Sequence, residues 1–484
     1  LATVGILLLR ENIARRKAEA RQTAYPVAAL DELTDDPAVW GRNFPRQYES
    51  YRRTTDMERT RHGGSEADPF AVGQDGVPKT TSRIEQDPRL KTLWDGYAFA
   101  IDYREERGHA FMLHDQRETE RVLQRPQVGS CLHCHASTVL AYRRAGIEAG
   151  APGALSDPLL GPAGMEQLRK GFVLVSAEPY AEAVRRVANP VSCLDCHDPQ
   201  SMNLRVTRPG LLDGLAALAA GDDSVPHLPS IEKWRQGDRG KPYDPNDAAS
   251  PQEMRSLTCA QCHVEYYCGP KAVLFFPWGK GLKAERIEAA YDAYRFPDGS
   301  PFSDWTHART GAKVVKLQHP EFELWSQGPH ARAGVACADC HMPYQREGAV
   351  KASSHHVRSP LLHINRSCQV CHKASEEELR ERAFLVQDRT KALMDRALDA
   401  VVELIAAIEE AQKNGAGESL LREPRLLQRK SQFRVDFVNS ENSMGFHAPQ
   451  EAARLLGEAI DYAHRGRLAL MKAPAGRSGV NDKN

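Results

Sequence analysis

The stretch Cys131-Leu132-His133-Cys134-His135 decides how this chain is read. Its pattern recurs at Cys193-Leu194-Asp195-Cys196-His197, Cys259-Ala260-Gln261-Cys262-His263, Cys337-Ala338-Asp339-Cys340-His341 and Cys368-Gln369-Val370-Cys371-His372. C-x-x-C-H is the attachment pattern of c-type haem, in which two thiols add to the vinyl groups and the adjacent histidine binds the iron. Chance at this cysteine and histidine content gives only about 0.01 such pentapeptides. Structural zinc, the other common use of C-x-x-C pairs, does not require a histidine after the second cysteine, yet every copy has one. Redox dithiols occur singly beside a βαβ pattern rather than in five copies. The sequence therefore predicts a pentahaem cytochrome with five covalently bound haem c groups.

Composition sets the surroundings of these motifs. The 484 residues are enough for two or three ordinary domains, but haem supplies apolar volume that side chains would otherwise fill, so one continuous unit is expected. Lys and Arg number 64 and Asp and Glu 64, a balance that gives no bulk field for nucleic acid or an anionic membrane. Ten of the eleven cysteines belong to the motifs, leaving Cys268 as a small buried or loop residue. Haem attachment to such motifs takes place outside the bacterial cytoplasmic membrane, so a periplasmic location is expected. Residues 1–21 open with the apolar run Leu1 to Leu9, too short to span a bilayer at about 20 residues. They read as a residual signal or anchor segment, with a short buried helix as the alternative.

The expected fold class is mainly α: a compact multihaem cytochrome with little strand and long C-terminal helices. Residues 22–374 form the pentahaem region, in which the last two motifs are close enough to place neighbouring haems. Pro209 to Pro251 is rich in Gly, Pro and Asp and reads as surface loops or an insertion. In the C-terminal region, 375–484, apolar residues recur at helical spacing from Ser375 to Lys413. Ser375 and Glu376 to Glu378 open that helix and Asn414-Gly415 stops it. A second helix fits Pro449 to Lys472, and the pair reads as core cladding or a homodimer interface.

Every haem iron has two axial sites, and thirteen histidines lie outside the motif-terminal positions, so counting cannot decide which irons are closed. Sequence around the motifs is more specific. Cys259-Ala260-Gln261-Cys262-His263-Val264-Glu265-Tyr266-Tyr267 with Lys316-Leu317-Gln318-His319-Pro320-Glu321 resembles the ammonia-forming cytochrome c nitrite reductases. So do Arg107-Gly108-His109, Arg117 to Arg121, Cys193 to Pro199 with Leu204 to Pro209, Gly328-Pro329-His330, Cys337 to Pro343, and Glu441 to His447. The resemblance implies that the first haem is catalytic and that His109, His330, His447 and either His355 or His356, with His355 favoured, are the second ligands of the other four.

It further implies that nitrite is reduced to ammonium with Arg121, Tyr266 and His319 around the open iron. Arg121 would bind the anion, His319 would supply protons and Tyr266 would donate a hydrogen bond. Arg117 and Tyr267 are the respective rivals. A Ca²⁺ site is implied on the side chains of Glu265 and Gln318 and the carbonyls of Tyr266 and Lys316. Many members of that family carry Lys where this chain has His135, a difference that bears on the iron's electron density. The electron donor is expected to be a membrane quinol-oxidising multihaem cytochrome, or else a soluble cytochrome. Competing readings are a pentahaem electron carrier without a substrate site and a hydroxylamine-oxidising enzyme, whose relatives carry more motifs.

Overall fold

In the computed structural model of the protein, residues 2–21, 26–74, 76–105, 107–348 and 350–471 are described. The fold is mainly α, 54% helix against 8% strand, and each of its four small sheets is a single antiparallel two-stranded pair. Helix Ala2–Arg21 exposes Val4, Ile6, Leu7, Leu8 and Leu9, so the buried-helix alternative does not hold. Among the described residues no helix is long and apolar enough to cross a membrane.

The first C-terminal helix, Glu376–Lys413, has the expected limits. Ser375 Oγ accepts from the Glu378 amide at 3.1 Å, three acidic residues sit in the first turn, and Gly415 leaves the helix at φ +81°. Pro449–Met471 matches the other expected helix, whose final Lys472 lies outside the described residues. Between them runs a helix the sequence reading lacked, Glu418–Asn439, with Pro424 inside it. Its buried face is polar as well as apolar: Gln428, Ser431, Gln432, Arg434 and Asp436 are all buried, which erases the hydrophobic periodicity that marks a helix.

A second correction concerns Pro209 to Pro251. It is not an insertion of surface loops. Pro209–Ala220 is a helix with Leu211, Leu212, Leu215 and Leu218 in the core, followed by the shorter helices Pro229–Gln236 and Pro245–Ala248. Each starts on a proline, whose fixed φ suits the first helical turn. Proline marked helix starts here rather than loops.

Two large buried clusters carry the fold. One packs Leu132, Cys134, Leu194, Ala260, Val264 and Tyr266, and so surrounds the first three motifs. The other joins Leu93 and Trp94 to Val314 and Leu317 and to Met394, Leu398, Phe433 and Leu455 of the C-terminal helices. Those helices therefore back the segment that carries residues 312–319.

Candidate functional site

Local structure presents each motif in a similar way. Leu132–His135, Cys193–Cys196 and Cys337–His341 are short helical pieces, so both cysteines and the histidine of a motif project from one turn. In the two C-x-D-C-H copies the inner aspartate caps its own turn: Asp195 accepts from the Ser192 amide and Asp339 from the Ala336 amide, each at 2.8 Å. The third motif follows helix Pro251–Leu257, opened by a reciprocal Ser250–Glu253 capping box. None of the eleven cysteines is engaged in a disulfide.

Four motif histidines face a second imidazole: His197 with His355, His263 with His109, His341 with His447, and His372 with His330, every pair 6.3 Å between ring centroids. Two imidazoles on one metal, each about 2.0–2.1 Å from it, hold their ring centroids roughly 6.3 Å apart. Nδ1 of His197, His341 and His355 meets a backbone carbonyl, of Met202, Arg358 and Ser353 respectively, and Nδ1 of His447 meets the Glu441 carboxylate. That arrangement fixes the tautomer and leaves Nε2 for a metal. The side chains thus fit haem. His356 stands in no such pair and lies among the charges of Asp56 and Arg53.

His135 has no facing imidazole among the described residues, and its buried ring lies beside the Met112 backbone. Burial depresses its pKa to about 4, with the Arg121 charge acting in the same direction. Arg121 and His135 line one cavity of about 480 Å³, open to solvent, to which Lys79 and Arg104 add positive charge and Asp102 and Glu118 negative charge. Arg121 lies 4.4 Å over the Phe99 ring. Its rival Arg117 is turned away, donating to the Val187 carbonyl at 3.0 Å.

Tyr266 is buried with its hydroxyl beside the Cys134 sulfur. Burial holds its hydroxyl protonated far above the usual phenol range. Tyr267 instead packs among Phe275, Phe296 and Phe302, its hydroxyl accepting from the Lys271 amide, which is a structural position. Cys268, read from sequence as a small buried or loop residue, lies beside the Cys131 sulfur.

The segment that carries His319 is stitched to the third motif, and neither His319 nor Tyr266 is among the residues that line the cavity of Arg121 and His135, although the His135 charge is felt at His319. The His319 amide donates to the Val264 carbonyl at 3.3 Å, the Phe322 amide to the His263 carbonyl at 3.1 Å and the Glu265 amide to the Glu323 carboxylate at 2.9 Å. Burial drives the His319 pKa down to about 4, against the pull of the Glu321 carboxylate.

The residues expected around calcium also converge. Glu265 is fully buried, and its two oxygens accept from the Tyr291 hydroxyl and the Gln318 amide, each at 2.6 Å. The Gln318 side chain meets the Lys316 carbonyl at 3.1 Å. Burial, with Asp304 and Glu323 nearby, raises the Glu265 pKa well above the carboxylate range. A buried carboxylate held only by neutral donors suits a hard cation. The Lys316 ammonium points elsewhere, paired with Asp436 at 3.2 Å.

A helical chain with repeated haem-attachment turns and facing imidazoles is a multihaem cytochrome c. The cytochrome c552 family model matches residues 36–483, and the chain belongs to that family. It is 36% identical to cytochrome c-552 of Bacteroides fragilis over 445 residues, 90% of this chain and 77% of the relative. It is 35% identical to that of Parabacteroides distasonis over 442 residues, 90% and 76% of the two chains. Among solved structures it resembles the catalytic subunit of Desulfovibrio desulfuricans cytochrome c nitrite reductase, a structure with two calcium sites, at TM-score 0.69 and 28% identity, covering 92% and 87%. The protein is a nitrite-reductase-like cytochrome c with covalently bound haem.

Proposed function

We propose that the chain carries five haems and reduces nitrite to ammonium, a six-electron conversion, at the haem of the first motif. The observation that carries this reading is the asymmetry among the motif histidines: four face a second imidazole at 6.3 Å, whereas His135 faces none and shares its cavity with Arg121. When bound, the first haem, held by Cys131, Cys134 and His135, would supply a redox-active iron to nitrite. Around it Arg121, always charged, draws nitrite in and hydrogen-bonds its oxygen. Tyr266, kept protonated by burial, donates a hydrogen bond, and His319 passes protons to the departing oxygens. His109, His355, His447 and His330, each facing a motif histidine, would hold the other four haems, which would then serve electron transfer.

Glu265 and Gln318, with the Tyr266 and Lys316 carbonyls, bind Ca²⁺ and fix Tyr266 and His319, which adjoin its ligands. The enzyme works in the periplasm as a homodimer, fed by a membrane quinol-oxidising multihaem cytochrome or by a soluble one. The test is spectroscopic. The oxidised protein should show one high-spin haem whose signal shifts on adding nitrite or cyanide, and reduced protein should convert nitrite to ammonium. Five low-spin haems indifferent to both ligands would leave an electron carrier in its place.

A further inference from the structure

Glu321 lies between two histidines of different function, and neither the pocket nor the haem ligation accounts for it. Its Oε1 is 3.6 Å from Nδ1 of His263 and 3.8 Å from Nδ1 of His319, and its Oε2 is buried without a partner. Asn442 donates to Oε1 at 2.7 Å and is itself held by Arg83 at 3.1 Å. Asn442 sits in the left-handed region at φ +40°, in the loop that leads to His447. The carboxylate is thus anchored from behind while two imidazole Nδ1 edges face it. Of the four pairs of facing histidines, His341 with His447 also has a carboxylate on Nδ1, Glu441, which accepts from the Ser443 hydroxyl.

We propose that Glu321 is a positioning residue that holds His263 and His319 through one carboxylate, linking the third haem to the proton-supplying side of the pocket. The inference rests on the nitrite-reducing reading for the role of His319. A carboxylate on Nδ1 makes a ligating imidazole more basic and favours the oxidised metal. The same carboxylate faces the Nδ1 edge of His319 at 3.8 Å, beyond hydrogen-bond length, so it acts on that ring through its charge.

The test uses holoprotein of Glu321→Gln and Asn442→Ala, with five haems verified by intact mass. Asn442→Ala keeps the charge and removes its tether. In an EPR-monitored redox titration, Glu321→Gln should raise the potential of a single low-spin haem and leave the others in place. In turnover with a chemical reductant, kcat for ammonium should fall about 10–100-fold with KM for nitrite within about twofold. Asn442→Ala should move both readouts the same way by less. Unchanged potentials, or a shifted haem with unchanged kcat, would overturn the link. Loss of haem in Glu321→Gln together with wild-type behaviour of Asn442→Ala would also overturn it. Wild-type protein that makes no ammonium would instead refute the nitrite reading, and the potential shift would still report on Glu321 and His263.

Discussion

At the scale of single residues, most of the candidate site was legible because its chemistry is tied to short motifs. Two choices were not. Tyr266 and Tyr267 are adjacent and chemically identical, and only packing separates them: one meets the Cys134 thiol, the other is enclosed by phenylalanines. Likewise no spacing tells His355 from His356, or which distant histidine faces which motif, since those pairs span up to 158 residues between His197 and His355. Arg121 is the residue whose removal should be easiest to read. A hydrogen bond to a charged group contributes about 1.5–3 kcal/mol, so Arg121→Gln should lower kcat/KM for nitrite about ten- to a hundredfold, chiefly through KM. Steady-state kinetics on fully haem-loaded protein check this. His319→Asn should instead abolish most ammonium formation through kcat while all five haems stay bound, and an unaltered kcat would remove His319 from proton transfer.

At the scale of elements, the sequence is reliable where apolar spacing and capping agree, as in Glu376–Lys413, and misleading where burial is polar or a helix opens on proline. Glycine shows the same dependence on context. Helices Val139–Glu148 and Pro162–Ala177 cross so closely that a Cβ on Gly171 would lie 1.7 Å from the Tyr142 carbonyl oxygen, and one on Gly146 1.9 Å from that of Gln167. Gly457, in helix Pro449–Met471, has nothing within 4 Å of its would-be Cβ. Gly171→Ala should therefore destabilise by about 1–3 kcal/mol or more, because backbone must move. Gly457→Ala should stabilise by about 0.5–1 kcal/mol, because alanine restricts the unfolded chain and favours helix. Melting temperatures of the two variants should move in opposite directions. Since the first helix pair packs on the first motif through Tyr142 and Phe172 beside His133, Gly171→Ala should also broaden the spectrum of the first haem.

At the scale of the whole molecule, the third motif is the centre from which the others are held. Its Cys262 sulfur lies beside Cys134 of the first motif, and its Cys259 sulfur lies beside Cys337 of the fourth. Between them Gln261 is buried and accepts from the amides of Thr207 at 2.7 Å and Arg208 at 3.1 Å, tying in the chain beyond the second motif. The fifth motif is at the edge, with Cys371 exposed and Val370 73% exposed. Removing haem from the two places should thus have unequal consequences. Cys368→Ala with Cys371→Ala removes one attachment where little protein packs around it. That variant should fold, carry four haems by intact mass, and melt within a few degrees of the parent. Cys259→Ala with Cys262→Ala takes a macrocycle out of the contact point of three neighbours and leaves a void between the motif turns. Close-packed interiors do not tolerate a gap of that size, so this variant should lose haem from the intact motifs as well and show no cooperative melt. A centre variant that kept the other four haems and melted like the parent would mean that each motif folds around its own haem, independently of the third.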